Sequence, residues 1–589
     1  MPSSVAFRLA LPALALASTA ACGPLPLPYP VRAPRAQPVA VTVTEVPEND
    51  SWQVGYVLPF AAEGVDFLGP QDASRRARWG VGLREGEPEW HVDGGRERLC
   101  FTRPARGFSV GFRTWSGAGA TGPPTNVTLS DGSRLLYTGD LLVRPLARCG
   151  APHDEVPPVQ HRFTFRTTEE RSIRVQGQAA TGELTWQPEG SEGRAEATYV
   201  YFGSLPAVET EAATVLLDPG LPAWVEEESR RAVPRLIERY ASATATLPPL
   251  RPLAVVAWGG AETAHTADAA ERSLSAQALP GLLLASAAGP GWDEETPQAR
   301  REAFLSLARA AFHLWDAAAY PPEEGAAWLS EAAADHFATE AAIAAGVLDR
   351  DEARRALVAS ANDCLVRLAG RSVAAAAPDD SHLGRSCGAV AMAAAGGALR
   401  RAAPAGDLGD LFRRLFEHAA ATGGYGPDAF LGGLRELHAD PRAFGELWHL
   451  VRTGDLAEPA PVVRDLLAGA GVATDLAPPE EATVEPATLG EVARRAVGRC
   501  YCGEEAEGTC DPAEVGARVS AIAGQRLDGS DPRPALESLR SAVARGAALP
   551  VVLDGEELTL FCADDSFDPA GEALLRATGR DVDGSSAPE

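Results

Sequence analysis

The sequence predicts a multidomain α+β protein: an N-terminal β-sandwich, a mixed and then mostly helical middle, and a small C-terminal α+β unit. Three observations support this. The chain has 589 residues, more than one core ordinarily serves. Apolar residues alternate as in strands from about Val39 to Leu217 and then switch to helical spacing. A Pro/Glu-rich run from Pro478 to Pro486 then sets off a last stretch in which both patterns are short.

Residues 1–21 read as an export signal: Arg8, an apolar run from Leu9 to Ala17, then Ser18-Thr19-Ala20-Ala21 before Cys22. The run is short for a membrane span. Small residues leading into a cysteine resemble a bacterial lipobox, with Thr19 where leucine is usual, so Cys22 is the expected lipidation site. Residues 22–38 hold six prolines and form an extended tether. In 39–217, Val39, Val41 and Val43 alternate, as do Phe163 with Phe165 and Ile173 with Val175. Pro/Gly/Asp clusters divide these strands.

From 218 the character is mixed. Asp218-Pro219-Gly220 makes a turn, Trp224 to Tyr240 has helical spacing, and Leu253 to Ala257 and Gly281 to Ser286 read as strands. From Glu302 to about residue 470 the chain is alanine-rich and helical, punctuated at Pro321-Pro322, Pro404, Gly423-Gly424 and Pro441. We divide it at 395 into a mixed domain, 218–395, and a helical domain, 396–477. Residues 487–589 carry a strand near Val515 to Ile522, a helix near Ala535 to Ala544, and two strands, Leu549 to Leu553 and Leu558 to Cys562, around an Asp554-Gly555 turn.

The formal net charge is −27 and the chain contains no lysine. That balance argues against nucleic-acid binding and against attraction to anionic lipid. A missing lysine also excludes a Walker A loop and Schiff-base chemistry. Beyond Cys22 there are eight cysteines, in clusters that suit disulfides within an exported protein. Cys100 with Cys149 and Cys364 with Cys387 are the expected pairs. Cys500, Cys502, Cys510 and Cys562 are expected to pair among themselves; the alternative is a metal knuckle, which Cys-x-Cys spacing fits poorly.

The stretch from Phe304 to Phe337 carries the most chemistry. Helical spacing puts Arg309 and His313 on one face, and Glu331 and Asp335 on another. Phe312-His313-Leu314-Trp315, followed by Trp328-Leu329-Ser330-Glu331, resembles the gluzincin metallopeptidase clan, which holds the aminopeptidase N and glycyl-aminopeptidase families. Their motif is His-Glu-x-x-His with a downstream glutamate. Two histidines one turn apart and that glutamate bind zinc, while the first glutamate activates the bound water. Seventeen residues separate His313 from Glu331, near the aminopeptidase N spacing.

The resemblance implies a thermolysin-like peptidase domain over 218–395 and, after the glycyl-aminopeptidase pattern, a PDZ-like unit over 487–589, though without an intact carboxylate-binding loop. It carries over unevenly. His313 matches the second zinc ligand and Glu331 the third. Arg309 stands for the first ligand, Ala310 for the base, and Arg385, fifty-four residues after Glu331, for the tyrosine that stabilises the oxyanion. A guanidinium offers a metal no lone pair. Loss of the base alone forfeits ~10²–10⁴-fold in rate. With zinc gone, Glu331 and Asp335 need another cation, so a salt bridge from Arg309 to Glu331 is expected and no zinc.

The expectation is therefore an exported lipoprotein of the bacterial cell envelope, on the periplasmic side or on the surface of the outer membrane. It is a pseudo-peptidase that binds a peptide or an envelope protein and reaches the membrane through its lipid anchor. Two alternatives stand beside it: an active zinc metallo-aminopeptidase with an unorthodox ligand set, and an envelope structural protein.

Overall fold

The structure is a computed structural model that describes residues 38–69, 75, 79–82, 88–93, 96–113, 126–150, 159–188, 197–260, 272–316, 320–368, 371–404, 406–454, 458–477, 482–502, 517–528, 531–544, 549–560 and 574–577. The expected signal, Cys22 and tether lie outside them. No described helix is long and apolar enough to cross a membrane.

Two sheets form the N-terminal sandwich. In the first, Val39–Val46 runs antiparallel to Ser51–Phe67 and parallel to His161–Arg166. Its strict alternation sends Val41 and Val43 inward and leaves the intervening threonines half-buried. The second sheet runs in the order Gln178–Thr181, Ser172–Val175, Tyr199–Gly203, Arg134–Tyr137, Asn126–Thr128. Trp52 and Phe165 from the first sheet meet Phe202 from the second edge to face, with ring centroids 4.8 and 5.9 Å apart. These contacts are the centre of a core shared by both sheets. Cys100 and Cys149 are joined in this domain.

Tyr199–Gly203 is buried at every position because it is covered on both faces. Val200 and Phe202 face the sandwich core, while Tyr199 and Tyr201 face a third sheet. That sheet is mixed: Thr214–Leu217, Leu253–Gly260 and Leu282–Ala288 run parallel, and Ser273–Leu279 closes one edge antiparallel. Period-2 alternation again decides the faces. Leu253, Val255 and Leu282 point to the sandwich, whereas Ala254, Val256 and Leu283 point to the helices. Because Thr214–Leu217 belongs to this sheet, the division drawn at 217/218 runs through a sheet.

The helices are α1 (Ala223–Thr244), α2 (Pro297–Asp316), α3 (Ala327–Ala344), α4 (Arg350–Leu368), α5 (Val373–Ala376), α6 (Ser381–Ala402), α7 (Leu408–Thr422), α8 (Pro427–Glu436), α9 (Pro441–Trp448) and α10 (Pro459–Gly469). Asp380, Asp407 and Asp440 cap α6, α7 and α9 by accepting from the backbone N–H of Leu383, Asp410 and Ala443. One hydrophobic core runs from Ala213 through all the longer helices to Val472. The division at 395 thus falls inside α6, and residues 396–477 extend the core of 218–395. Cys364 on α4 is joined to Cys387 on α6.

The C-terminal unit packs α11 (Pro486–Cys502) and α12 (Arg533–Ala544) on a sheet ordered Gln525–Arg526, Val519–Ile522, Leu549–Leu553, Glu556–Leu560. It has its own small core. The chain then returns to the main body: Leu574–Ala577 pairs with Thr474–Ala477. Asn362 on α4 holds the returning strand by accepting from Leu575 N–H at 2.7 Å and donating to Leu575 C=O at 2.8 Å. Cys510 and Cys562 lie outside the described residues, as do the side chains of Cys500 and Cys502.

Candidate functional site

Three helices converge on the site, and each is locally determined. Thr296 caps α2, its hydroxyl accepting from Ala299 N–H at 3.1 Å. Apolar positions Phe304, Leu307, Ala311, Phe312 and Trp315 then define the buried face, leaving Arg309 and His313 on its flank. Helix α3 buries Trp328, Leu329, Ala332 and Ala333, which leaves Glu331 and Asp335 at its edge. Aromatic contacts fix the pair: Phe312 stacks on Phe337 at 4.7 Å and Tyr240 of α1 stands edge-on to both. The Trp315 indole N–H donates to Thr246 Oγ1 at 3.0 Å and tethers the end of α2.

Helix α6 comes close to α3 because Gly384 and Gly388 face it. A Cβ on Gly388 would lie 2.5 Å from the Ala332 Cβ, and one on Gly384 3.1 Å from the Trp328 Cβ. This approach sets Arg385, between the two glycines, beside α3. The segment Arg385 to Gly388 lies within the first two turns of α6.

Arg309 ion-pairs with Glu331 through Nη2. Its Nε lies 3.1 Å from Asp335 Oδ1, so one guanidinium spans both carboxylates. Arg385 adds a second, more distant cation, with Nε 4.0 Å from Asp335 Oδ2. Burial pushes the Asp335 carboxyl above the ordinary aspartate range, and the charges of Arg309, Arg385 and His313 pull it part of the way back. Ala310 is buried and supplies no polar atom.

His313 is held at both ends. Its Nδ1 lies 3.1 Å from Asp316 Oδ1, and its Nε2 faces Glu331 Oε1 at 3.8 Å. Asp316 is buried and also accepts from the Ser330 hydroxyl. Beneath them Tyr425 is fully enclosed; burial first, and then the Asp316 carboxylate, push its hydroxyl well above the ordinary tyrosine range. Asp316 and Tyr425 were not singled out in the sequence, and Ser330 entered only as a member of the Trp328-Leu329-Ser330-Glu331 run, without a role. Only the three-residue step from His313 to Asp316 on one helix face could have pointed to any of them.

A carboxylate on Nδ1 that turns Nε2 toward a glutamate is the way zinc-ligating histidines are oriented. Fold and site together define a gluzincin aminopeptidase-like fold, with Arg309 at the position that the sequence resemblance gives to the first zinc-binding histidine. Among solved structures, an aminopeptidase N family protein from Idiomarina loihiensis aligns over 92% of this chain and 98% of its own, with 10% identity and a TM-score of 0.58. An M1 zinc metallopeptidase from Deinococcus radiodurans aligns over 72% of this chain and 94% of its own, with 18% identity and a TM-score of 0.40. Yeast LTA4 hydrolase aligns over 71% and 68%, with 12% identity and a TM-score of 0.42. At 10% identity the likeness to the Idiomarina protein is one of fold alone. The sequence matches no protein-family profile and no curated protein.

The donor set does not fit zinc of the kind that fold carries. Among the described residues no three His, Cys, Asp or Glu side chains are grouped to hold a metal. Of the three ligands that the sequence resemblance implies, only the counterparts His313 and Glu331 are present, and the guanidinium of Arg309 already engages Glu331.

Proposed function

We propose that this chain is an exported, lipid-anchored pseudo-peptidase of the bacterial envelope that binds peptides or an envelope protein without cleaving them. One observation carries the reading: Arg309, protonated at any relevant pH, lies against both acids that would otherwise serve a metal and its water. With no base at Ala310, the cleft has nothing to activate water. Binding is supported by one edge of the third sheet, which pairs with no further strand among the described residues. Ser273–Leu279 is its outermost described strand, and α2 packs against it. An extended peptide can add there by main-chain hydrogen bonds. The C-terminal unit would be a PDZ-like second site, and Cys22 would supply the anchor.

Elemental analysis and peptide assays on the purified protein test this. Well under one equivalent of zinc is expected, with no release from aminoacyl p-nitroanilides even after zinc is added. Extended peptides should nonetheless be retained, and alternately N-methylated copies should not. Stoichiometric zinc that His313→Ala or Glu331→Ala abolishes, together with hydrolysis, would establish an active enzyme instead. Absence of any peptide retention would leave a structural protein.

A further inference from the structure

Three guanidiniums stand in a row on α1. Arg231, Arg235 and Arg239 recur at four-residue spacing, so they share a helix face. All three line a cavity of about 330 Å³ between α1, the first turns of α2 and the last turn of α3, and Arg300 on α2 also lines it. Four arginines and a single acid, Glu228, line this cavity in a chain of formal net charge −27. Like charges one turn apart repel, so helix stability does not account for the row.

The arginines are partly held in place. Glu228, whose side chain is 7% exposed, ion-pairs with Arg231 and lies 3.4 Å from Arg300. Arg239 donates to the Glu340 carbonyl at 3.4 Å. Arg235 has no hydrogen-bond or ion-pair partner among the described residues, and the Nε–H of Arg300 is buried without an acceptor. The floor is apolar, formed by the buried Leu236, Phe304 and Ala341.

We propose that this cavity binds a phosphate group carried on a small apolar body. Guanidinium forks match phosphate oxygens in pairs. A phosphate monoester offers three strong acceptors and nearly two negative charges, enough for the Arg235 and Arg239 guanidiniums together, with Arg300 adding a further positive charge at the cavity wall. A carboxylate has two oxygens and one charge and satisfies a single fork. The apolar floor then takes the body of the ligand. Arg300 precedes Arg309 by nine residues on α2, about 13 Å along the axis, so this site lies at the other end of the helix pair that carries Glu331.

A soluble phosphate ester and a phospholipid head group share this chemistry, and the experiment separates them. Phenyl phosphate, inorganic phosphate and benzoate are titrated calorimetrically into the full chain. Vesicles of phosphatidylcholine with and without phosphatidic acid form a second arm, in which anchor-driven binding is common to both and cancels. Phenyl phosphate is expected to bind saturably, with inorganic phosphate and benzoate each about tenfold weaker or more. Arg235→Ala and Arg239→Ala should each weaken phenyl phosphate about tenfold. Both side chains are exposed, so the thermal midpoint should not move. Retention on phosphatidic acid vesicles that phenyl phosphate displaces assigns a lipid; phenyl phosphate binding without such retention assigns a soluble ester. No saturable binding, equal binding by the Arg235→Ala/Arg239→Ala variant, or benzoate as good as phenyl phosphate overturns the proposal.

Discussion

Replacing Arg309 with methionine keeps most of the side-chain volume and removes the cation that spans Glu331 and Asp335. Arg309 is 30% exposed and its partners 41% and 33%, between a surface pair, worth ~0.2–1 kcal/mol, and a buried one, whose breakage costs ~3–5 kcal/mol. Two carboxylates share the guanidinium, so a loss of about 1.5 kcal/mol near pH 7.5 is expected. For a domain of this size that lowers the thermal midpoint by about 3–6 °C. The pH dependence makes the test specific. Asp335 already has its carboxyl raised above the ordinary value of 3.8 by burial, with Arg309 the largest opposing influence. A raised folded-state value means that the folded protein holds the proton more tightly than the unfolded chain. Stability therefore falls as pH rises through the window above 3.8. Without Arg309 that window extends upward and the fall deepens. The difference between variant and wild type should be larger at about pH 7.5 than at about pH 4, toward which Asp335 takes up its proton. Urea unfolding at both pH values measures it. An equal loss at the two, or none at the higher, would show that the ion pairs do not hold this site.

Three further outcomes follow from the packing. Arg309→His with Ala310→Glu rebuilds His-Glu-x-x-His; His313 Nε2 already sits 3.8 Å from Glu331 Oε1, near the ~3.3 Å separation of two donors about 2 Å from tetrahedral zinc. One equivalent of zinc by mass spectrometry is expected, and none above wild type would mean that the site has closed. Gly388→Ala forces a methyl within 2.5 Å of Ala332 and should destabilise by ~1–3 kcal/mol in urea; a change within measurement error would show that α3 and α6 can separate freely. Asn362→Ala leaves the N–H and C=O of Leu575 and the C=O of Thr483 without their side-chain partner. A loss of ~2–3 kcal/mol is expected, with faster amide exchange across 574–577, and unchanged protection there would contradict it.

Much of the fold was legible because its signals are local. Alternation in Val39–Val46 and helical spacing across Trp224 to Tyr240 report which face is buried, and the structure uses those faces. Domain limits were less legible. Thr214–Leu217 reads like the sandwich strands before it, and only pairing with Leu253–Val256, after a twenty-two-residue helix, assigns it to the third sheet. The return of Leu574–Ala577 to Thr474–Ala477, nearly a hundred residues away, leaves no periodic trace. Within the site, Arg385 was read as one substituted residue. Its reach toward Asp335 depends on Gly384 and Gly388 letting two helices touch.

By itself the sequence determined which residues share a helix face, because 3.6 residues per turn allows Arg309 and His313, or Glu331 and Asp335, no other arrangement within a helix. It also determined that no lysine and no base at Ala310 would be available. Tertiary structure decided which cation meets which acid. That depends on how far α2, α3 and α6 slide against one another, set by the stacking of Phe312 on Phe337 and by the bare backbone at Gly388. It also decided that Asp316, Ser330 and Tyr425 lie together under His313: they come from α2, α3 and the turn before α8, and burial brings together groups that no spacing rule relates.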